Sequence, residues 1–161
     1  MVAAFLVVWT AVAPPASSVH AVQHPDSAAR TRVRAALTGV QDSLDRVRGA
    51  AYNFRTDLGG ATPGVLYNRA QKMRASCLAA TSALAHLDSV LTASYPAGAP
   101  ADLRRETRGL RAALADCGRE YDTATRWDAR ADSVRSWAPY RLRRLDDAMR
   151  DFARVAVLRR R

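Results

Sequence analysis

Apolar and small residues recur along this chain in alternating steps of four and three. One series runs Leu66, Ala70, Met73, Cys77, Ala80, Leu84, Leu87, Leu91. A second runs Leu103, Thr107, Leu110, Leu114, Cys117, Tyr121, Ala124. That alternation keeps one seam of a helix turned toward a partner helix. Between them lies Tyr95-Pro96-Ala97-Gly98-Ala99-Pro100, a helix-breaking stretch. The two series mirror one another about Ala97: Leu91 faces Leu103, Leu84 faces Leu110, and Met73 faces Tyr121. The spacing predicts an antiparallel helical hairpin.

A third seam precedes these: Val33, Leu37, Val40, Leu44, Val47, Ala51, Phe54, Leu58. Its helix is expected to start near Pro25-Asp26-Ser27, with Asp26 close to the positive end of the helix dipole. Gly59-Gly60 should stop it with a left-handed turn, and Thr62-Pro63 should restart the chain as N-cap and first helical residue. This seam mirrors the second about Thr62, so that three helices share one register. Layers follow: Val40, Leu84 and Leu110; then Leu44, Ala80 and Leu114; then Val47 with both cysteines.

Beyond Ala124 the pattern weakens. The third helix is expected to continue through Trp127 and Ala131 to about Val134, and Ser136-Trp137-Ala138-Pro139 to mark a break. A last helix then carries Leu142, Leu145, Met149, Phe152 and Ala156, at about two-thirds the length of the others at about 1.5 Å per residue. The fold class predicted is all-α: an antiparallel up-down four-helix bundle of three long helices and one shorter C-terminal helix, with an inter-helix disulfide. A short last helix would place Ala156 near the cysteine layer. It would also leave an open groove beside Val33, Leu37, Val40, Leu84, Leu87, Leu91, Leu103 and Leu110, the kind of apolar patch that marks an interface.

The N-terminus changes the picture of where this bundle works. Residues 1–21 contain a short apolar run, VAAFLVVWTAVA, then Pro14-Pro15 and a small-x-small site at Val19-His20-Ala21. They read as a signal peptide, or as a short N-terminal membrane anchor if retained, although the run is shorter than the roughly 20 residues that span a bilayer. Residues 22–161 form one helical-bundle domain. Its setting is expected to be periplasmic or otherwise exported, and oxidising.

In that setting Cys77 and Cys117 acquire a meaning. They lie twenty residues either side of Ala97 and so fall in one layer of the hairpin. Small neighbours, Ala80, Ala113 and Gly118, allow the close approach that a disulfide needs. A redox pair is normally close in sequence at a helix N-terminus, whereas these positions are mid-helix. A structural disulfide is the expectation.

Composition adds a formal charge of +10, carried by arginine with Lys72 as the only lysine. Arginine bias on this scale more often follows genome composition than phosphate recognition, so position is more informative than number. Residues 141–161 hold eight arginines and three aspartates, half of the net charge. With the nearby aromatics they form a candidate interaction surface: Trp127, Trp137, Tyr140, Arg141, Arg143, Arg144, Arg150, Arg154, Arg159, Arg160 and Arg161. Such a surface suits a protein partner with an acidic face, as in a membrane complex, or an anionic membrane surface. No nucleic-acid recognition pattern occurs.

Catalytic patterns are equally lacking. The three histidines are scattered, the Glu-x-x-His signature of di-iron bundles does not occur, and no phosphate-binding glycine loop is found. Met73 and His86 stand about 20 Å apart along one helix, too far to share a haem iron. No catalytic residue, cofactor or metal is expected. The sequence points to a non-catalytic periplasmic scaffold, an accessory subunit stabilising a membrane complex. The alternative is a soluble periplasmic chaperone or ligand-binding bundle.

Overall fold

The computed structural model describes residues 26–124 and 131–160. It contains four helices: α1 (Ser27–Asp57), α2 (Pro63–Ser94), α3 (Ala101–Ala124) and α4 (Ala131–Arg160). Each packs antiparallel on the next, and α4 closes the ring against α1. The leader and Trp127 lie outside the described residues.

The three predicted seams form the core. Val40, Leu84 and Leu110 are fully buried, as are Leu44 and Ala80, with Leu114 almost so. Beneath them Val47 meets the bonded pair Cys77–Cys117, whose Cα atoms are 6.2 Å apart. That separation lies inside the usual disulfide range of about 4.4–6.8 Å. Closing a loop of about 40 residues restricts the unfolded chain and adds stability of about 4 kcal/mol. At the next level Tyr121 of α3 stands edge-on to Phe54 of α1, 5.1 Å between ring centroids, and to Trp137 of α4 at 5.5 Å. Edge-to-face rings at these distances attract through their quadrupoles, so one tyrosine couples three helices.

The ends are built partly as expected. Asp26 caps α1 by accepting from the Ala29 N–H. Thr62 occupies the N-cap position of α2 with extended backbone and Pro63 follows, but the threonine hydroxyl makes no capping bond. Between α2 and α3, the Gly98 N–H donates to the Tyr95 carbonyl at 2.8 Å. Pro96 and Gly98 thus hold the second and fourth positions that a tight turn favours. Gly98 has φ of 102°, a left-handed conformation that glycine adopts without strain.

Three expectations are corrected. No left-handed glycine terminates α1, since Gly98 is the only positive-φ residue among those described. The carbonyls at that end are satisfied in two ways: Asp57 O accepts from the Ala61 N–H at 3.0 Å, and Arg135 of α4 donates to Leu58 O at 2.9 Å and to Ala61 O at 3.0 Å. A local turn and a guanidinium fork together do here what a left-handed glycine does elsewhere.

Nor does a break occur at Ser136–Pro139. Helix α4 runs through it with Pro139 inside, and Ala131 and Val134 belong to α4 rather than α3. Val134, Ala138 and Leu142 follow one another at steps of four and are buried, while Pro139 faces solvent. The proline's missing N–H therefore frees a carbonyl on the wet side, where water can satisfy it, and the continuous buried stripe outweighs that loss.

The last helix is accordingly not short. Ion pairs Glu120–Arg141 (3.0 Å) and Asp102–Arg159 (3.1 Å) are symmetric about residues 130–131, some six residues earlier than a break near Ser136 implies. It is Leu142 and Leu145 that reach the cysteine layer, and not Ala156. The end of α4 reaches the start of α3, and the predicted groove does not exist. Val33, Leu37, Val40, Leu84, Leu87, Leu91, Leu103 and Leu110 are all at most 5% exposed.

Candidate interaction surface

Helix α4 puts its apolar stripe, Val134 through Ala156, into the core and turns its arginines outward. The arginines divide into three kinds. Three reach beyond their own helix: Arg135 holds the carbonyls of Leu58 and Ala61, Arg141 pairs with Glu120, and Arg159 donates to both carboxylate oxygens of Asp102. Two pair one turn back on their own helix, Arg150 with Asp147 at 3.0 Å and Arg154 with Asp151 at 2.9 Å. Arg143 and Arg144 are exposed and, among the described residues, have no ion-pair partner. Arg160 closes the helix, and Arg161 lies outside the described residues.

These classes differ in what they can offer. Pairs such as Arg150–Asp147, with both side chains more than 60% exposed, are worth only about 0–1 kcal/mol. An arriving carboxylate displaces them at little cost. The inter-helix pairs are part of the bundle. The Asp102 carboxyl experiences slight burial that raises its pKa, but the Leu103 N–H and the Arg159 guanidinium outweigh it and hold the group below the usual carboxylate range. Glu120 is shifted the other way: burial raises it more than Arg141 and Arg144 lower it.

The aromatics also divide. Trp137 is half-buried against Tyr121 and belongs to the core edge. Tyr140 is 56% exposed, with the Arg141 guanidinium 5.8 Å from its ring centroid. Sequence reasoning missed Val157 and Leu158, which are 49% and 69% exposed near the other end of α4. Their signal was visible, because they fall outside the Phe152–Ala156 stripe. The outer face of α4 thus carries Tyr140 at one end, Val157 and Leu158 at the other, and arginines between.

Among the described residues no group of three or more His, Cys, Asp or Glu converges as metal ligands would. His86 is exposed on α2. No described helix is long and apolar enough to cross a membrane. Clefts among the described residues lie in grooves between neighbouring helices, including one of about 350 Å³ between α1 and α2 beside Asn53 and Lys72. Another, about 260 Å³, runs between α3 and α4, where Gly109, Ala112, Ala113 and Ala148 leave room beside Glu120 and Tyr121. A third, about 590 Å³, lies at the α2–α3 turn. Compared with known proteins, the chain matches no family, no curated protein and no solved structure.

Proposed function

We propose that this protein is a non-catalytic scaffold of an exported, oxidising compartment, such as a bacterial periplasm, that docks through α4 on an acidic protein surface as an accessory subunit of a membrane complex. One observation carries the reading: the outer face of α4 combines exposed Tyr140, Val157 and Leu158 with Arg143, Arg144, Arg150 and Arg154. Aromatic and arginine side chains dominate the binding energy of protein interfaces. Charge of one sign steers an oppositely charged partner and sets its orientation. The disulfide supports the compartment, since such bonds persist where the surroundings are oxidising. The packed core and the absence of converging ligands among the described residues support a binding role over chemistry.

The test is affinity purification from gently solubilised native membranes, comparing the wild-type chain with an R143Q/R144Q/R150Q/R154Q variant. These arginines lie on the exposed face, so helicity should be unchanged. A stoichiometric partner retained by the wild type and lost by the variant, or lost from the wild type in added salt, is the expected outcome. Association that survives both treatments would remove α4 as the docking face.

A further inference from the structure

The cleft at the α2–α3 turn is independent of the α4 face, and its charges do not balance. It is lined on the α3 side by Arg104, Thr107, Arg108 and Arg111, and on the α2 side by Asp88 and Leu91. The α3 residues fall at the i, i+3, i+4 and i+7 spacing of one helix face, so three guanidinium stems emerge within about 10 Å along the axis. Arg111 is held across the groove by Asp88. Arg104 and Arg108 are exposed and have no ion-pair partner among the described residues.

The reason is visible in the neighbouring acids. Asp102 and Glu106, the carboxylates nearest in α3, are committed to Arg159 and Arg105. Neither lines the cleft. Arg104 is also positioned: its Nη1 lies over the turn, 3.9 Å from where a side chain at Gly98 would begin. The floor between the arginines and the turn is apolar, formed by Leu91, Tyr95, Pro96 and Ala99. Thr107, between these two arginines in the helix, is 2% exposed, and its hydroxyl has no hydrogen-bond partner among the described residues.

We propose that this cleft binds a phosphate group carried on an apolar body, an anionic amphiphile. Arginine forks match the oxygens of a phosphate with paired, charge-assisted hydrogen bonds. Two unpaired guanidinium groups one turn apart supply that chemistry here, and the Leu91, Tyr95 and Pro96 floor takes the apolar portion. The volume is in the range of ordinary ligand sites, about 300–1,000 Å³. The phosphate reaches the cleft either on a free amphiphile or as the headgroup of a lipid.

The experiment titrates the full chain with dodecyl phosphate below its micelle concentration, and separately with inorganic phosphate, following heat or the Tyr95 ring resonances. We expect one equivalent of dodecyl phosphate to bind at least tenfold more tightly than inorganic phosphate. An R104Q/R108Q variant should weaken that binding at least tenfold. An R30Q/R32Q variant, which removes the same charge from exposed positions on α1, should leave it within twofold. Melting curves identify any variant that has not folded, and R104Q and R108Q singly then replace the pair. Vesicles containing phosphatidylglycerol that displace the bound dodecyl phosphate identify the lipid as source; vesicles that do not displace it identify the free amphiphile. No binding, equal affinity for both phosphates, or equal loss in both double variants would overturn the site.

Discussion

Tyr121 ties three helices together through its ring, and it carries an unsatisfied atom. Its ring joins α1, α3 and α4 through Phe54 and Trp137, yet its hydroxyl is buried without a hydrogen-bond partner among the described residues. Burial first, with the Glu120 charge added, pushes the phenol far above its usual pKa. A buried polar atom left unpaired costs about 1–3 kcal/mol. Tyr121→Phe keeps the ring and removes the atom, so it should raise stability by about 1 kcal/mol or more in urea unfolding. A loss of stability would mean that the hydroxyl has a partner. Asp102 behaves oppositely. Its pKa is lowered in the folded protein, so its contribution is present above the unfolded value of about 4 and disappears as pH falls through the folded value. The carboxylate is more than a third exposed, which limits the effect to tenths of a kcal/mol. The stability difference between wild type and Asp102→Asn should therefore be small at pH 7 and vanish near pH 2.

Among the elements, α1, α2 and α3 were legible because their seams repeat without interruption and mirror one another about two turns. Cys77 and Cys117 tested that register, and they are bonded. Helix α4 was read too short because Pro139 is a strong local signal and Ala138 a weak one. The buried run Val134, Ala138, Leu142 decides the matter, and it becomes evident only when a neighbouring helix shows which side is wet. Proline in a helix interior is about 3 kcal/mol less favourable than alanine. Pro139→Ala should accordingly stabilise the protein, by up to about 3 kcal/mol, visible as a higher melting temperature with unchanged helical content. A fall in melting temperature would show that the proline relieves a bend that the packing needs. The end of α1 taught a related lesson. Gly59-Gly60 looked sufficient to stop it, but the Leu58 carbonyl is held by Arg135, seventy-seven residues away, and no local pattern announces such a partner.

At the scale of the whole molecule, charge was read correctly in amount and only partly in place. The arginines of α4 looked like one basic face, but Arg141 and Arg159 are structural ties, which leaves Arg143, Arg144, Arg150 and Arg154 as the outward set. Antiparallel pairs such as Arg69–Asp57, Arg111–Asp88 and Arg159–Asp102 pin every consecutive helix junction. Periodicity within a helix cannot reveal them, because they depend on which faces the ring brings together. The covalent bond between α2 and α3 has a mechanical consequence. When the chain is pulled by its ends, tension passes from Cys77 directly to Cys117 across 6.2 Å, and residues 78–116 carry no load. Extended backbone spans about 3.4 Å per residue, so the oxidised protein should stretch roughly 130 Å less than the reduced one. Single-molecule force extension with and without reductant measures that difference directly, and equal lengths would mean that the bond is not formed. While it is formed, the turn between α2 and α3, with Arg104 and Arg108 beside it, is shielded from any pull that the rest of the chain must bear.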